Sequence, residues 1–180
     1  MSFNQRKKNS VWLDPQILQW ANYGQGGAEP NVSVRARAYE IWNHADEVLK
    51  HATSDFQLVD VITTLKRSID QRMRALNDIY SFDAIPLKNK PADMLGLLES
   101  LDIVRPLMFR NLLAIRNTIE HEDAPPPDIR SSHVFLEFAW YFLRSTDRLL
   151  QIITSDVGFD PTGQHEDSYW MELDYGPRKG

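Results

Sequence analysis

The stretch PLMFRNLLAIRNTIEHEDAPPPD, residues 106–128, has an apolar helical pattern that three prolines close. Large apolar side chains recur in it at spacings of three and four residues, which predicts a helix from Pro106 to about His121. The helix ends before the prolines because proline lacks a backbone N–H and disfavours helix in the preceding residue. Arg116, Asn117 and His121 fall near the end of this helix, although its apolar residues already supply a core face.

A helical wheel separates two faces of this predicted helix. The predicted core face consists of Met108, Leu112, Ile115 and Ile119. Arg110, Asn117 and His121 fall on roughly the opposite side, and the long side chain of Arg116 lies on one flank. The core of a helical bundle does not require this polar face, so we expect the face to contact solvent, a partner subunit or a substrate.

The rest of the chain predicts an all-α protein, an antiparallel helical bundle of four main helices. The main helices are predicted at about 33–52, 55–80, 106–121 and 131–154, with a shorter one at 91–104. In the second helix the apolar stripe runs from Leu58 to Ile79, with either Arg72 or Met73 at one of its positions. Ser131 or Ser132 is the predicted cap of the last helix.

Both ends of the chain differ from the predicted bundle. A short helix is predicted from Asp14, its cap, to Gly24, and the segment SYWMELDY (168–175) alternates as a β-strand does. No partner strand is predicted in this chain, so this segment is interpreted as an ordered tail or as a strand that pairs with a second copy. The predicted domains are an N-terminal extension (1–32), the bundle (33–155) and a C-terminal tail (156–180).

Composition excludes several functional classes. The chain has 180 residues, no cysteine and a net charge of −5, which excludes disulfides, thiolate metal sites and a strongly basic nucleic-acid footprint. No apolar run reaches the roughly 18 residues of a transmembrane helix, and no apolar segment follows the basic residues near the start. We therefore expect a cytoplasmic protein that does not enter a membrane.

The segment RNTIEH (116–121) resembles the Arg-x4-6-His signature of the HEPN superfamily, including the polar residue directly after the arginine. Domains of this superfamily are all-α bundles whose motif lies near the C-terminal end of one helix and is followed by another long helix. The same order is predicted here, and the resemblance covers roughly residues 33–155.

The resemblance implies a homodimeric endoribonuclease that needs no metal and no cofactor. Two facing motifs would form one cleft, in which His121 and the partner's His121 transfer protons to and from the RNA. Arg116 would donate to the phosphate, and Asn117 would hold the imidazole or also donate to the phosphate. The product would carry a 2′,3′-cyclic phosphate. A toxin–antitoxin or phage-defence role, with an antitoxin protein as a possible partner, also follows from the resemblance alone.

Further cations are candidates for RNA contact. Arg110 lies about three turns before His121 on the polar side of the motif helix, and the segment LKRSIDQRMR contributes Lys66, Arg67, Arg72 and Arg74. The alternative interpretation of that segment is a solvated helix face. Carboxylates at Glu120, Glu122 and Asp123 would repel phosphate unless they point away or pair with arginine.

Two other hypotheses fit the same residues. One is a non-catalytic HEPN-like module that dimerises, binds RNA or nucleotide and regulates an associated enzyme. The other is a helical adaptor in which RNTIEH is accidental. No metal site is predicted, because His44 and His51 share a helix face without further ligands in suitable positions.

Overall fold

The computed structural model describes residues 14–25, 32–82, 88–105, 107–151, 153–163 and 168–173. These residues are mostly helical, as the predicted all-α class requires, but they also contain a small antiparallel sheet. The helices are α1 (Val32–Lys50), α2 (Asp55–Tyr80), α3 (Met94–Ser100), α4 (Leu107–Glu122) and α5 (Ile129–Gln151). The strands are β1 (Ala21–Gln25), β2 (Asp156–Asp160) and β3 (Tyr169–Glu172).

The described chain divides into two compact units, a helical unit that contains all five of these helices and a sheet unit that contains the three strands. Within the helical unit, α2 packs against α1, α4 and α5. None of the helices in the described residues is both long enough and apolar enough to cross a membrane.

The core of the helical unit is built around α2, whose predicted apolar stripe is confirmed. Its fully buried side chains include Val61, Ile62, Leu65, Ile69 and Leu76. Gln57 helps to cap the start of this helix, since its side-chain oxygen accepts the backbone N–H of the N-cap residue Ser54 at 3.2 Å. Burial of such aliphatic side chains stabilises a fold by about 1.5–3 kcal/mol each, so α2 supplies much of the hydrophobic stabilisation.

A buried ion pair interrupts this apolar stripe. Arg72 has no exposed surface, and its Nη1 lies 2.8 Å from Asp147 Oδ1 on α5. The same nitrogen donates to the carbonyl oxygen of Leu143 at 2.9 Å and to Thr146 Oγ1 at 3.2 Å. Tyr39 on α1 donates its hydroxyl to Asp147 Oδ2 at 2.8 Å, so the cluster joins α1, α2 and α5.

The environment of Tyr39 leads us to expect that the stability of the helical unit depends on pH. Burial, and then the hydrogen bond to Asp147, raise the pKa of Tyr39. Because its folded-state pKa is raised, Tyr39 contributes stability that is fully present below the unfolded-state pKa of about 10. This contribution is lost as the pH rises through the folded-state pKa. In urea denaturation at a series of alkaline pH values, wild type should therefore lose stability more steeply than Tyr39→Phe. Parallel pH profiles for the two proteins would contradict this role of Tyr39.

The last helix begins earlier than predicted, and its buried face is rotated from the predicted one. Asp128, rather than Ser131 or Ser132, caps α5, because Asp128 Oδ1 accepts the N–H of Ser131 at 2.7 Å. That hydrogen bond holds the pKa of Asp128 below its usual value. Residue spacing predicts Phe135 and Phe142 on the apolar face of this helix, together with Val134 and Tyr141. Phe135 and Phe142 are buried, but Val134 and Tyr141 are 50% and 64% exposed. Leu136, Ala139 and Leu143 complete the buried face.

The sheet unit corrects two predictions about the ends of the chain. Asp14 does cap a helical turn, accepting the N–H of Gln16 at 2.9 Å, but this turn is a 3₁₀ helix that ends at Gln19. The next residues form β1 instead of continuing as a helix, since β1 pairs with β2. The segment predicted to lack a partner in this chain forms β3, which also pairs with β2. The strand order is therefore β1–β2–β3.

A glycine in β2 makes room for two aromatic rings. Gly158 faces Tyr23 on β1 and Trp170 on β3. The two rings meet edge to face at 5.3 Å between centroids, and Tyr23 donates its hydroxyl to Ser168 Oγ, or accepts from it, at 2.6 Å. A β-carbon at position 158 would lie 2.5 Å from Tyr23 Cε2, which is too close for a side chain.

Gly158→Val is accordingly expected to displace Tyr23 and destabilise the sheet unit by about 1–3 kcal/mol, a usual cost of overpacking. Near-UV circular dichroism and tryptophan fluorescence should change, whereas far-UV dichroism from the helices should not. Gly163→Asn is the control, because position 163 has open space around it and asparagine tolerates its positive φ of 71°. Equal effects of the two substitutions would mean that Tyr23 does not depend on Gly158.

Candidate functional site

The polar residues of the motif lie on the exposed side of α4, as the helical wheel predicts. Arg110, Asn117 and His121 are exposed, whereas Leu112 is fully buried. The predicted core residues Met108, Ile115 and Ile119 are only partly buried and pack against the core. Phe109, which the wheel omitted, is 2% exposed and supplies the second buried anchor of this helix.

Arg116 and Asn117 are joined directly in this structure. Arg116 Nη1 donates to Asn117 Oδ1 at 3.2 Å, and Arg116 also forms an ion pair with Glu120 one turn later. The Arg116 side chain is 28% exposed, and its Nε atom is buried without a hydrogen-bond partner. A phosphate that approached Arg116 would therefore contact a guanidinium whose Nε atom is buried and whose charge is already partly neutralised by Glu120.

His121 lies in the last turn of α4, where the helix ends sharply. Asp123 adopts a left-handed conformation with φ of 52°, and the N–H of Ala124 donates to the carbonyl oxygen of Thr118 at 3.3 Å. His121 is exposed, so its imidazole is accessible to solvent and to a ligand.

Acidic residues surround the histidine in sequence, and they differ in what they contact. Glu120 is engaged by Arg116, while Glu122 and Asp123 are exposed at the end of the helix. The repulsion of phosphate by Glu120 is reduced by this ion pair, whereas the other two carboxylates add negative charge next to His121.

The remaining cations suggested for RNA contact do not form one cluster with the motif. Arg110 pairs with Glu99 of α3 at 3.0 Å, with both side chains about half exposed. Lys66 pairs with Asp70, Arg67 is exposed, and Arg74 donates to the carbonyl oxygen of Asp70 at 3.4 Å. Within the residues that the structure describes, no hydrogen bond or ion pair links these side chains with Arg116, Asn117 or His121.

The assignment of Arg72 to an RNA-contacting face is wrong. Its guanidinium is fully buried and pairs with Asp147, so it has no surface to offer a phosphate. The sequence contained a signal for this outcome, because Arg72 falls on a position of the apolar stripe of α2. Its partners Asp147 and Thr146 come from distant positions and carried no comparable signal. The same holds for Tyr39, whose ring centre lies 5.4 Å from the guanidinium carbon.

No group of three or more histidine, aspartate or glutamate side chains suited to a metal ion occurs in the described part of the chain. His51 contacts the carbonyl oxygen of Glu47 through Nδ1 at 2.9 Å, and His44 is exposed on the same helix. The candidate site therefore consists of Arg116, Asn117 and His121 on α4, with Glu120 as the partner of the arginine.

No protein-family profile matches this chain, and neither does any curated protein or solved structure with which it was compared.

Proposed function

We propose that the chain is a HEPN-like, metal-independent endoribonuclease that acts as a homodimer, with α1, α2, α4 and α5 as the four main helices of an antiparallel bundle. The observation that supports it best is the exposed strip on α4. Arg116, Asn117 and His121 occupy neighbouring positions within the last turns of the helix, and Asn117 and His121 are exposed.

The proposed reaction uses the RNA's own nucleophile. The ribose 2′-oxygen attacks the adjacent phosphorus, and the bond from phosphorus to the 5′-oxygen breaks, which leaves a 2′,3′-cyclic phosphate and a 5′-hydroxyl. One of the two His121 imidazoles in the dimer accepts the 2′-hydroxyl proton, and the other, in its protonated form, donates a proton to the leaving oxygen. Arg116 stabilises the negative charge on the phosphorane.

Asn117 has a positioning role in this proposal. Its side-chain oxygen accepts from Arg116 Nη1, which directs the amide nitrogen away from the arginine. That nitrogen is free to donate to a phosphate oxygen or to an imidazole nitrogen. The ion pair between Glu120 and Arg116 must weaken when RNA binds, because the phosphate and the carboxylate compete for the same N–H donors of Arg116.

The biological setting belongs to the same proposal. A cytoplasmic toxin–antitoxin or phage-defence system suits such an endoribonuclease, and an antitoxin protein would then restrain it. The exposed carboxylates of Glu122 and Asp123 beside His121 would repel the reacting phosphate, which counts against cleavage. The second candidate is therefore a non-catalytic HEPN-like dimerisation module that binds RNA or nucleotide and regulates an associated enzyme.

The test is RNA cleavage by the purified protein in the presence of EDTA. Wild type should cut RNA and leave 2′,3′-cyclic phosphate ends, and His121→Ala should reduce the rate by about 10²–10⁴-fold, the usual contribution of a general acid or base. His44→Ala is the matched control, because this histidine is exposed on α1 outside the candidate site. It should retain the wild-type rate.

Three results would separate the hypotheses. Cleavage lost in His121→Ala but not in His44→Ala supports the nuclease, provided that far-UV dichroism shows both variants folded. A dimer that binds RNA without cutting it supports the non-catalytic module. A monomer that neither binds nor cuts RNA would mean that the motif is accidental and the chain is a helical adaptor.

A further inference from the structure

A hollow of about 440 Å³ lies between α1 and α5, within the helical unit and separate from the strip on α4. Three aromatic rings line it, those of Trp42, Trp140 and Tyr141, together with the carboxylates of Asp46 and Glu137. Its other lining residues are His133 and Leu136, so among the residues that the structure describes the lining contains neither lysine nor arginine. A planar cationic group prefers such surroundings, because it can stack on aromatic rings while it donates hydrogen bonds to carboxylates.

The aromatic rings of this hollow are held in place by contacts within the chain. The indole N–H of Trp42 donates to the carbonyl oxygen of Leu136 at 2.8 Å, which fixes that ring between the two helices. Trp140 and Tyr141 meet edge to face with centroids 5.1 Å apart. The guanidinium carbon of Arg144 lies 5.5 Å from the Trp140 ring centre, so the chain already places one cation against this ring system.

The two carboxylates differ in their charge balance. Lys50 pairs with Asp46 at 2.7 Å, and hydrogen bonds to Asp46 and then Glu47 raise the pKa of this lysine. Glu137 forms no ion pair within the part of the chain that the structure describes. The hollow therefore retains a negative charge on Glu137, on the α5 side of its wall, that a cation from outside can neutralise.

We propose that this hollow, the α1/α5 pocket, binds the guanidinium of an arginine side chain carried by a partner protein. A guanidinium is planar, is less strongly hydrated than an ammonium and stacks on aromatic rings while its N–H groups donate to carboxylates. The lining offers both kinds of contact, with Trp140 and Tyr141 as the aromatic part and Glu137 as the acceptor.

A protein-borne arginine fits better than a free small cation because the apolar surface continues beyond the pocket. Val134 and Tyr141 on α5 are 50% and 64% exposed. Tyr141 also borders a second hollow of about 380 Å³, which includes Phe138 and Ile103 in its lining. A peptide segment with apolar residues beside its arginine would cover this surface, whereas a lone cation would leave it in water.

The experiment is fluorescence anisotropy with a labelled, capped heptapeptide that has one central arginine between leucines. The citrulline version of the peptide has nearly the same shape but no charge, and it should bind at least about tenfold more weakly to wild-type protein. Glu137→Gln and Trp140→Ala should each weaken binding of the arginine peptide by about tenfold as well. Glu40→Gln is the matched control, because it removes an equal charge from an exposed position of α1 outside the pocket lining.

Several results would overturn the proposal. The guanidinium is not recognised if the citrulline peptide binds as tightly as the arginine peptide. The pocket is not the site if Glu137→Gln and Trp140→Ala, with wild-type far-UV dichroism, bind like the Glu40→Gln control. Free N-acetyl-arginine amide should displace the peptide only in large excess. Displacement at equal concentration would mean that the pocket takes a small cation and not a protein partner.

Discussion

Asp147→Ala is expected to lower the free energy of unfolding of the helical unit by about 3–5 kcal/mol, the usual cost of removing one partner from a buried ion pair. Arg72 is fully buried, and arginine stays protonated under all ordinary conditions. Without Asp147 its charge would remain in the interior with only the neutral acceptors Leu143 and Thr146. The Nε and Nη2 atoms of Arg72 already lack hydrogen-bond partners, so the structure has little capacity to compensate.

Urea denaturation followed by far-UV circular dichroism measures this effect. The matched control is Glu40→Ala, which breaks the exposed Arg37–Glu40 pair and should cost less than about 1 kcal/mol. The double variant Arg72→Met with Asp147→Leu should recover most of the loss, since apolar residues of similar size often replace a buried pair without penalty. A cost for Asp147→Ala no larger than that of Glu40→Ala would show that the buried guanidinium is compensated elsewhere.

The second large effect concerns RNA cleavage and depends on the proposed function. Arg116→Ala should reduce the cleavage rate by about 10²–10³-fold, as removal of one preorganised donor to a developing oxyanion does elsewhere. Glu120→Gln should act in the opposite direction. It removes the carboxylate that competes with phosphate for Arg116, and RNA affinity should rise a few-fold, in proportion to a partly exposed ion pair worth about 1 kcal/mol or less.

The pair of variants has its own control. Glu122→Gln removes an equal charge from the same turn of α4, but Glu122 is not paired with Arg116. If Glu120→Gln and Glu122→Gln raise RNA affinity equally, only net charge matters and the competition for Arg116 has no separate effect. If Glu120→Gln lowers RNA affinity, the carboxylate instead holds Arg116 in its RNA-binding position.

The helices were the part of this structure that the sequence predicted well, because their apolar side chains recur regularly. The stripe of α2 and the exposed strip of α4 both follow from residue spacing. Spacing also left Arg72 and Met73 as alternatives for one stripe position. The structure places Arg72 in the core because Asp147, 75 residues away in sequence, supplies the counter-charge, and no local pattern reveals such a pair.

The sheet was predicted least well, for a related reason. The residues of β1 continue a plausible helical pattern after the Asp14 cap, and only pairing with β2 makes them extended. Strand β3 was recognised as a strand, but its partner was not, since β2 is short and has a glycine at its centre. For the candidate site, residue spacing placed Asn117 and His121 on one surface. Pairing with an arginine was one of two alternatives for Glu120, the other being that it points away, and the structure shows the ion pair with Arg116.

The central place of β2 in the sheet has a consequence for how the protein emerges from the ribosome. Strand β1 is synthesised early, yet the strand that pairs with it follows the whole of α5. Until then β1 has no partner within its own chain, while α1 and α2 can already pack together. We therefore expect the helices to fold before the sheet, which can close only after β2 has been synthesised, so nascent chains stalled after α5 should expose β1 to added protease.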